Sequence, residues 1–250
     1  MDAPFDPPLA LASLSGDADA EWARAGAQYA GAAFLGGIAL DEPSRAAARD
    51  LVARDRNEFL PDDPFAWIDD QLDALADVDL RAGVNVRATS PAPVREAAAV
   101  CASHDAVVEV NAHCRQDELC AVGCGETLLA DTARLREYVA AAAETGATVS
   151  VKVRAGVDGV DLAATARAVA DAGATVLHVD AMDSEHAIAG VVDAAPSLFV
   201  VANNEVRDEA SVREYLAYGA DAVSVGRPST DPVALERVSD ALDAAHASTT

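Results

Sequence analysis

Short apolar runs recur along the second part of the chain and alternate with longer amphipathic stretches. Each run is short and most are rich in valine, which is typical of parallel strands buried on both faces. The pattern therefore predicts a strand at each of the runs Ala82–Arg87, Ala106–Ala112, Thr148–Arg154, Thr175–Ala181, Leu198–Asn203 and Ala222–Gly226.

The stretches between these runs predict helices. They begin with capping residues or prolines, as in SPAPVREAAAVCASH and DGVDLAATARAVADAG, and several end in glycine. Before residue 80 the pattern is looser. There we predict strands at Leu9–Leu14 and Ala32–Leu40 and helices at Asp17–Tyr29, Ser44–Arg56 and Phe65–Ala76.

The complete pattern has eight strands, each followed by helix. Such alternation implies a parallel sheet with right-handed crossovers, and eight units close most simply into a (β/α)8 TIM barrel. The length of 250 residues is usual for that fold. Because no stretch resembles a linker, we expect residues 1–250 to form one barrel domain that ends in a helix at Pro232–Ala247.

Acidic residues are spread along the whole chain, with 42 Asp and Glu against 18 Lys and Arg and a net charge of -24. Such density destabilises a compact protein unless salt screens it, so we expect a halophilic protein; a basic partner is the alternative explanation. We find neither an apolar run long enough to span a membrane nor a signal peptide, and expect a cytoplasmic protein without a membrane partner.

Polar residues occupy the last inward positions of five predicted strands. Barrels bear their active sites at this end, whereas a purely structural barrel would place aliphatic residues there. Lys152 is the only lysine in the chain, which favours a need for a compact ammonium. Interior salt bridges without chemistry are the alternative. The inward positions hold Asn85, Arg87, Glu109, Asn111, Lys152, Arg154, His178, Asp180, Asn203 and Asn204.

A segment at Val110–Leu129 reads VNAHCRQDELCAVGCGETLL. It resembles the dihydrouridine synthase family of flavin enzymes, whose motif here is N-x-G-C-P followed by a glycine-rich loop and L-L. Five other segments resemble family motifs in the same order. They are LASLSGDAD from Leu11, VNVRATSP from Val84, VSVKVRAG from Val149, VVANNEVRD from Val200 and GADAVSVGRPS from Gly219.

The resemblance implies that the chain binds FMN. Asn85 stands where the family has a Gln that faces the flavin ring, and Lys152 stands at the flavin-contacting lysine. Cys114 stands at the catalytic cysteine, which donates a proton to the pyrimidine while reduced FMN delivers a hydride. Asn203, Gly226 and Arg227 stand at phosphate-binding positions, and the expected cofactor site is completed by Ser13, Asn111, His178, Asp180 and Asn204.

Several positions depart from the family pattern. His113 replaces the glycine before the cysteine, Arg115 replaces the proline after it, and Asn204 replaces a glycine of the phosphate loop. Asp180 aligns with a family histidine, and His178 lies one inward step earlier. The family also has a helical C-terminal domain that helps to hold tRNA. We expect a divergent, archaeal relative that consists of the barrel alone.

The leading hypothesis is an FMN-dependent oxidoreductase that acts on a C=C bond of a uracil-like ring. Cys114 would be the general acid or base, with the thiolate favoured by His113 and Arg115. Lys152 and Arg154 would stabilise negative charge, and His178 would complete the catalytic set. The expected partners are a small pyrimidine or tRNA, and reduced nicotinamide or another electron donor.

Two alternatives remain open at this point. One is a flavin-free barrel that binds a phosphorylated ligand, which is suggested by Asn204 in place of glycine. The other is a metal-binding barrel, although the cysteine spacing fits no standard zinc or iron–sulfur pattern. Its candidate ligands are Cys101, His104, His113, Cys114, Cys120 and Cys124.

Overall fold

Eight parallel strands pair in chain order, and the first pairs with the last to close a barrel in the computed structural model. The structure describes residues 3–247, without the side chain of residue 246. The predicted (β/α)8 fold is confirmed. The strands are β1 Leu9–Leu11, β2 Ala32–Ala39, β3 Arg81–Arg87, β4 Val107–Ala112, β5 Thr148–Arg154, β6 Val176–Asp180, β7 Phe199–Asn203 and β8 Ala222–Val225.

Helices connect the strands and surround the barrel. Most of them begin at an aspartate whose carboxylate accepts backbone N–H groups of the first turn, so part of the acidic composition has a local structural use. The helices are α1 Ala20–Gly26, α2 Glu42–Val52, α3 Pro64–Asp73, α4 Pro91–Ser103, α5 Asp117–Ala121, α6 Glu126–Ala130, α7 Thr132–Ala143, α8 Leu162–Asp171, α9 Ala187–Ala194, α10 Glu209–Ala217 and α11 Pro232–Ala247, with a short 3-10 helix at Arg227–Thr230.

The first strand is shorter than predicted. It was expected to continue to Leu14, but it ends at Leu11. The reason is a turn, in which the Leu14 carbonyl accepts hydrogen bonds from the backbone N–H groups of Asp17 and Ala18. The residues after β1 therefore line the mouth of the barrel instead of continuing the sheet.

The connection after β4 contains two short helices, α5 and α6, that the hydrophobic pattern did not predict. Gly125 joins them with a φ of 59°. A Cβ at this position would lie 2.0 Å from the carbonyl oxygen of Cys114, so only glycine permits this approach. The loop thus folds back onto Cys114, and Glu126 N–H donates to the same carbonyl at 2.8 Å.

The barrel interior changes from apolar to polar along its axis. Near the amino ends of the strands, Phe34, Val107, Val176 and Val201 pack together in an apolar layer. The inward positions closer to the carboxyl ends hold polar side chains, which are almost fully buried. Within residues 3–247, no helix combines the length and the apolar character needed to cross a membrane.

Candidate active site

A network of buried hydrogen bonds lies directly above the apolar layer, with the Glu109 carboxylate at its centre. Asn111 Nδ2 donates to Asn85 Oδ1 at 2.8 Å, and Asn85 Nδ2 donates to Glu109 Oε1 at 2.8 Å. Ser150 Oγ donates to Glu109 Oε2 at 3.0 Å. Each of these side chains is at most 2% exposed, so the network fixes their positions.

A second chain of donors reaches Glu109 from the opposite side of the barrel. Asn203 Nδ2 donates to Ser224 Oγ at 2.8 Å, Ser224 Oγ lies 2.7 Å from His178 Nε2, and His178 Nδ1 lies 2.8 Å from Glu109 Oε2. Burial and the nearby Lys152 lower the pKa of His178, so the ring is neutral. A neutral ring that donates Nδ1–H to the carboxylate must accept from Ser224 at Nε2.

The Glu109 carboxylate stays ionised at the bottom of the site. Burial alone would raise its pKa, but His178, Lys152 and the hydrogen bond from Asn85 outweigh burial and lower it. Burial lowers the pKa of Lys152, and Glu109 and Asp180 oppose that shift. The Lys152 ammonium has no hydrogen-bond acceptor among residues 3–247, which leaves its donors available to a ligand.

Two adjoining cavities open at the carboxyl ends of the strands. We call the first, of about 550 Å³, the cysteine cavity, and the second, of about 480 Å³, the lysine cavity. Their volumes lie in the range of small-molecule sites. The residues that line both cavities are Ser13, Leu14, His113, Asp180 and Arg227.

The cysteine cavity takes its walls from the loops after β1, β2 and β4 and from the ends of β3, β5 and β6. Cys114 contributes its half-buried side chain. Asn111 Oδ1 accepts from the Cys114 N–H at 3.2 Å, so the buried network also holds the loop that bears Cys114. Among the other lining residues are Ser15, Asp17, Asn57, Glu58, Arg87, Arg115, Gln116 and Arg154.

Two buried ion pairs border the cysteine cavity. Arg87 donates to Glu58 Oε2 at 2.6 Å and also to Ser15 Oγ. Burial alone would lower the pKa of Arg87, but Glu58 and Cys114 beside it outweigh burial and raise that pKa. Arg154 Nη1 donates to Asp180 Oδ2 at 3.0 Å. These pairs hold cationic groups beside the place where a substrate would bind.

The lysine cavity is bounded by the loops after β7 and β8. Asn204 adopts a φ of 99° and Glu205 a φ of 51°, so the chain turns here in a left-handed conformation without glycine. At Gly226 a Cβ would meet nothing within 4 Å, so this backbone faces open space. The remaining lining residues include Lys152, Met182, Asn203, Arg207 and Ser224.

His113 stands between the two cavities. Burial is the main cause that lowers its pKa well below 6.5, and Lys152, Arg87 and Arg154 add to that shift. The ring is therefore neutral at neutral pH. The prediction that His113 favours a Cys114 thiolate by positive charge is wrong in this respect, because a neutral imidazole supplies no charge.

The structure brings most of the predicted site residues together. Cys114, Asn111 and Arg154 line the cysteine cavity, and Lys152, Asn203, Asn204 and Gly226 line the lysine cavity. Ser13, Asp180 and Arg227 line both. His178 and Asn85 line neither cavity and are 0% exposed, so they belong to the hydrogen-bonded network beneath the site.

Several site residues were missed by sequence reasoning. Glu58 comes from a loop far from any recognised motif, and only the folded barrel brings it to the mouth. Asp17 lies in the segment LASLSGDAD, but no role was assigned to it. Ser150 and Ser224 did carry a signal, because each lies at an inward position of a predicted strand. Small hydroxyl side chains in Val-rich strands are the pattern that could have identified them.

The cysteines do not form a metal centre. Within residues 3–247, no three His, Cys, Asp or Glu side chains are arranged to hold a metal ion, so the structure does not support the metal-binding alternative. Cys101 and Cys124 are buried, and burial raises the pKa of each thiol to about 12. Cys124 Sγ donates to the Ala88 carbonyl at 3.4 Å and Cys120 Sγ to the Cys114 carbonyl at 3.4 Å.

Comparison with known proteins agrees with this architecture. The sequence model of the family described as dihydrouridine synthase matches residues 70–248. An uncharacterized protein from Methanocaldococcus jannaschii is 27% identical over 152 residues, which cover 60% of this chain and 59% of that protein. The chain therefore aligns with less than two thirds of the length of this curated relative.

Solved structures share the fold at low sequence identity. DHODH in complex with ferulenol from Eimeria tenella has a TM-score of 0.68 at 14% identity, over 94% of this chain and 80% of that one. An IMP dehydrogenase/GMP reductase-like protein from Corynebacterium glutamicum has a TM-score of 0.58 at 17% identity, over 93% and 67%. Thiamine phosphate pyrophosphorylase from Pyrococcus furiosus has a TM-score of 0.56 at 13% identity, over 94% and 95%.

Proposed function

The chain belongs to the dihydrouridine synthase family, and from this premise we propose that it is an FMN-dependent oxidoreductase acting on a C=C bond of a uracil-like ring. The observation that carries the proposal is the pair of adjoining cavities. One presents the thiol of Cys114 and the other presents the free ammonium of Lys152, and five residues line both. This arrangement suits a cofactor and a substrate held side by side.

The residues of the lysine cavity fit FMN. Asn203, the open backbone at Gly226 and the guanidinium of Arg227 would hold the phosphate, in the loops where barrels of this kind bind phosphate. Lys152 would face the polar edge of the flavin ring. Its donors are unpaired, and a compact ammonium there stabilises negative charge on that edge. When bound, FMN supplies the hydride exchange with the substrate ring.

Cys114 would transfer the proton. A general acid must lie within hydrogen-bond reach of the atom it protonates, and Cys114 is held on the wall of the cysteine cavity by Asn111. The ring carbon beside the one that exchanges hydride would receive this proton in reduction or lose it in oxidation. Arg87 and Arg154 would stabilise negative charge on the ring carbonyl groups.

We propose a small pyrimidine as the substrate in preference to tRNA. A net charge of -24 repels a phosphate backbone, and at high salt little is gained from counterion release. The electron donor would be reduced nicotinamide or another reductant. Finding that the purified protein reduces uridines in tRNA, and leaves free uridine unchanged, would reverse this choice of substrate.

An FMN titration tests the cofactor. Wild-type protein should bind FMN and show an absorption band near ~450 nm. Arg227→Ala should weaken binding by about 1.5–3 kcal/mol, the usual contribution of a charge-assisted hydrogen bond. Arg213→Ala is the matched control, because Arg213 is paired with Glu209 on α10 and lines neither cavity. Absence of FMN binding by the wild type would leave the flavin-free phosphate-binding barrel as the better proposal.

A pair of cysteine variants tests the proton transfer. Cys114→Ala should bind FMN normally and lose turnover by roughly 10²–10⁴-fold, the usual contribution of a positioned acid or base. Cys101→Ala is the control, because Cys101 is buried in α4, lines neither cavity and has no contact with Cys114. Equal turnover by the two variants would remove Cys114 from the mechanism.

A further inference from the structure

The side chain of His113 occupies the boundary between the cysteine cavity and the lysine cavity, and it lines both. It directly precedes Cys114 in the chain. A substrate that contacts both Cys114 and a cofactor in the lysine cavity would therefore lie against this imidazole. From the sequence, His113 was expected to favour the Cys114 thiolate or, in the metal-binding alternative, to be a ligand, and neither role places it against a substrate.

The buried network determines where this imidazole lies. Asn111 Oδ1 accepts from the backbone N–H of Cys114 at 3.2 Å and faces the N–H of His113 at 3.4 Å. Asn111 is itself held by Asn85, which is held by Glu109. The loop that bears His113 is thus tied to three inward side chains of the barrel, and its position is set before a ligand binds.

One nitrogen of the His113 ring is buried without a partner. Nδ1 makes no hydrogen bond to any of the described residues, although it is shielded from the surface. Nε2 also makes no hydrogen bond to the described residues but is not shielded, so it is the ring nitrogen that a ligand in the cavities can reach. Because the ring is neutral, one nitrogen donates and the other accepts, so the ring matches either a carbonyl or an N–H group.

We propose that His113 is a specificity-determining residue, whose Nε2 forms a hydrogen bond with the polar edge of the pyrimidine ring held beside Cys114. The inference rests on the proposed function, because it concerns the substrate of the same site. A uracil edge alternates carbonyl and N–H groups, which is the pattern that a neutral imidazole pairs with. A neutral imidazole is too weak an acid to protonate a ring carbon, so proton transfer stays with Cys114.

Uridine binding to the FMN-saturated protein tests this role through the change in flavin absorbance. His113→Phe keeps a ring but removes both nitrogens, and should weaken uridine binding about tenfold, which is the effect of losing one neutral hydrogen bond. His113→Gln keeps a hydrogen-bonding group near the position of Nε2 and should stay within about threefold of wild type. His186→Phe makes the same change at an exposed histidine outside both cavities and should bind as wild type.

Nitrogen NMR of histidine-labelled protein gives a readout that needs no turnover. The Nε2 resonance of His113, which is assigned by its absence in His113→Phe, should shift when uridine is added. Equal uridine affinity of wild type and His113→Phe, no uridine binding by the wild type, or an unshifted resonance would overturn the inference. Failure of the proposed function has a different signature: the wild type would not bind FMN, whatever the histidine resonance does with uridine.

Discussion

Lys152 is the residue at which composition and structure agree most closely. It is the only lysine among 18 basic residues, and the residue is 2% exposed, with its ammonium near the charges of Glu109 and Asp180. An ammonium fits this space as a compact charge, whereas a guanidinium is a wider planar fork. The sequence alone suggested a functional lysine, and the free donors at the lysine cavity are consistent with that interpretation.

Replacement of this lysine by arginine should weaken flavin binding while the barrel remains folded. Lys152→Arg keeps the charge beside Glu109 but places the larger fork into the lysine cavity. We expect FMN affinity to fall at least roughly tenfold, with an unchanged circular dichroism spectrum. Wild-type FMN affinity in the Arg variant would contradict the argument from size, and Lys152→Met would then show whether the charge itself matters.

The two neutral histidines of the site make stability depend on pH. The pKa values of His113 and His178 are lowered in the folded state, so the unfolded chain takes up protons first as pH falls. Their stabilising contribution is therefore complete above pH 6.5 and is lost as the pH drops below that value. The slope should reach about 1.4 kcal/mol per pH unit for each histidine.

Urea unfolding between neutral and mildly acidic pH measures this effect. His113→Phe removes one titrating group and should make the loss of stability with falling pH less steep. Carboxylates titrate mainly at lower pH and contribute little in this range. If wild type and His113→Phe lose stability in parallel, His113 is not held neutral by the fold.

At the scale of elements, the loop between β7 and α10 shows how a departure from the family pattern is accommodated. Asn204 stands at a position with a φ of 99°, and asparagine tolerates left-handed backbone better than other residues with a side chain. Tyr215 of α10 donates to the Asn204 carbonyl at 2.9 Å and helps to hold the turn. In this conformation the Nδ2 group of Asn204 is buried without a hydrogen-bond partner, which is unfavourable.

Glycine at this position should therefore stabilise the protein. We expect Asn204→Gly to raise the free energy of unfolding by about 0.4–1 kcal/mol, because the strain and the unpaired amide are both removed. Asn204→Ala should lower it, since alanine disfavours positive φ. Urea denaturation of the three proteins measures both changes. A destabilised Gly variant would mean that the asparagine side chain contributes a contact that outweighs the strain.

At the scale of the whole molecule, charge dominates the behaviour in solution. The net charge of -24 is carried on the surface. Many aspartates also cap helices, so replacing those aspartates would destabilise the helices that they cap. Mutual repulsion of these charges falls as salt shortens the Debye length from ~10 Å at 0.1 M to ~3 Å at 1 M. We propose that the protein is adapted to high salt.

Thermal unfolding across a KCl series checks this proposal. The melting temperature should rise steeply from low to molar salt. A double variant, Asp62→Asn with Asp70→Asn, removes two exposed acids that cap no helix, and should melt higher than wild type at low salt and gain less from KCl. A wild-type melting temperature that is constant across the series would refute the halophilic interpretation.

The sequence by itself determined the barrel and the location of its polar end. Short Val-rich runs identify strands that are buried on both faces. Inward residues such as Asn111, Lys152 and Asp180 could be assigned because side chains alternate in direction along a strand. The resemblance to family motifs then pointed to Cys114 and to the loops after β7 and β8 as site residues. These features are local in the chain, so a local pattern predicts them.

Only the tertiary structure decided how these residues are connected. The pairing of Arg87 with Glu58, the donor chain from Ser224 through His178 to Glu109, and the neutrality of His113 depend on residues far apart in sequence. Burial and nearby charge set the protonation of a side chain, and both arise from barrel closure, which no sequence pattern encodes locally. For this reason sequence reasoning placed His113 beside Cys114 but did not predict that its ring is neutral.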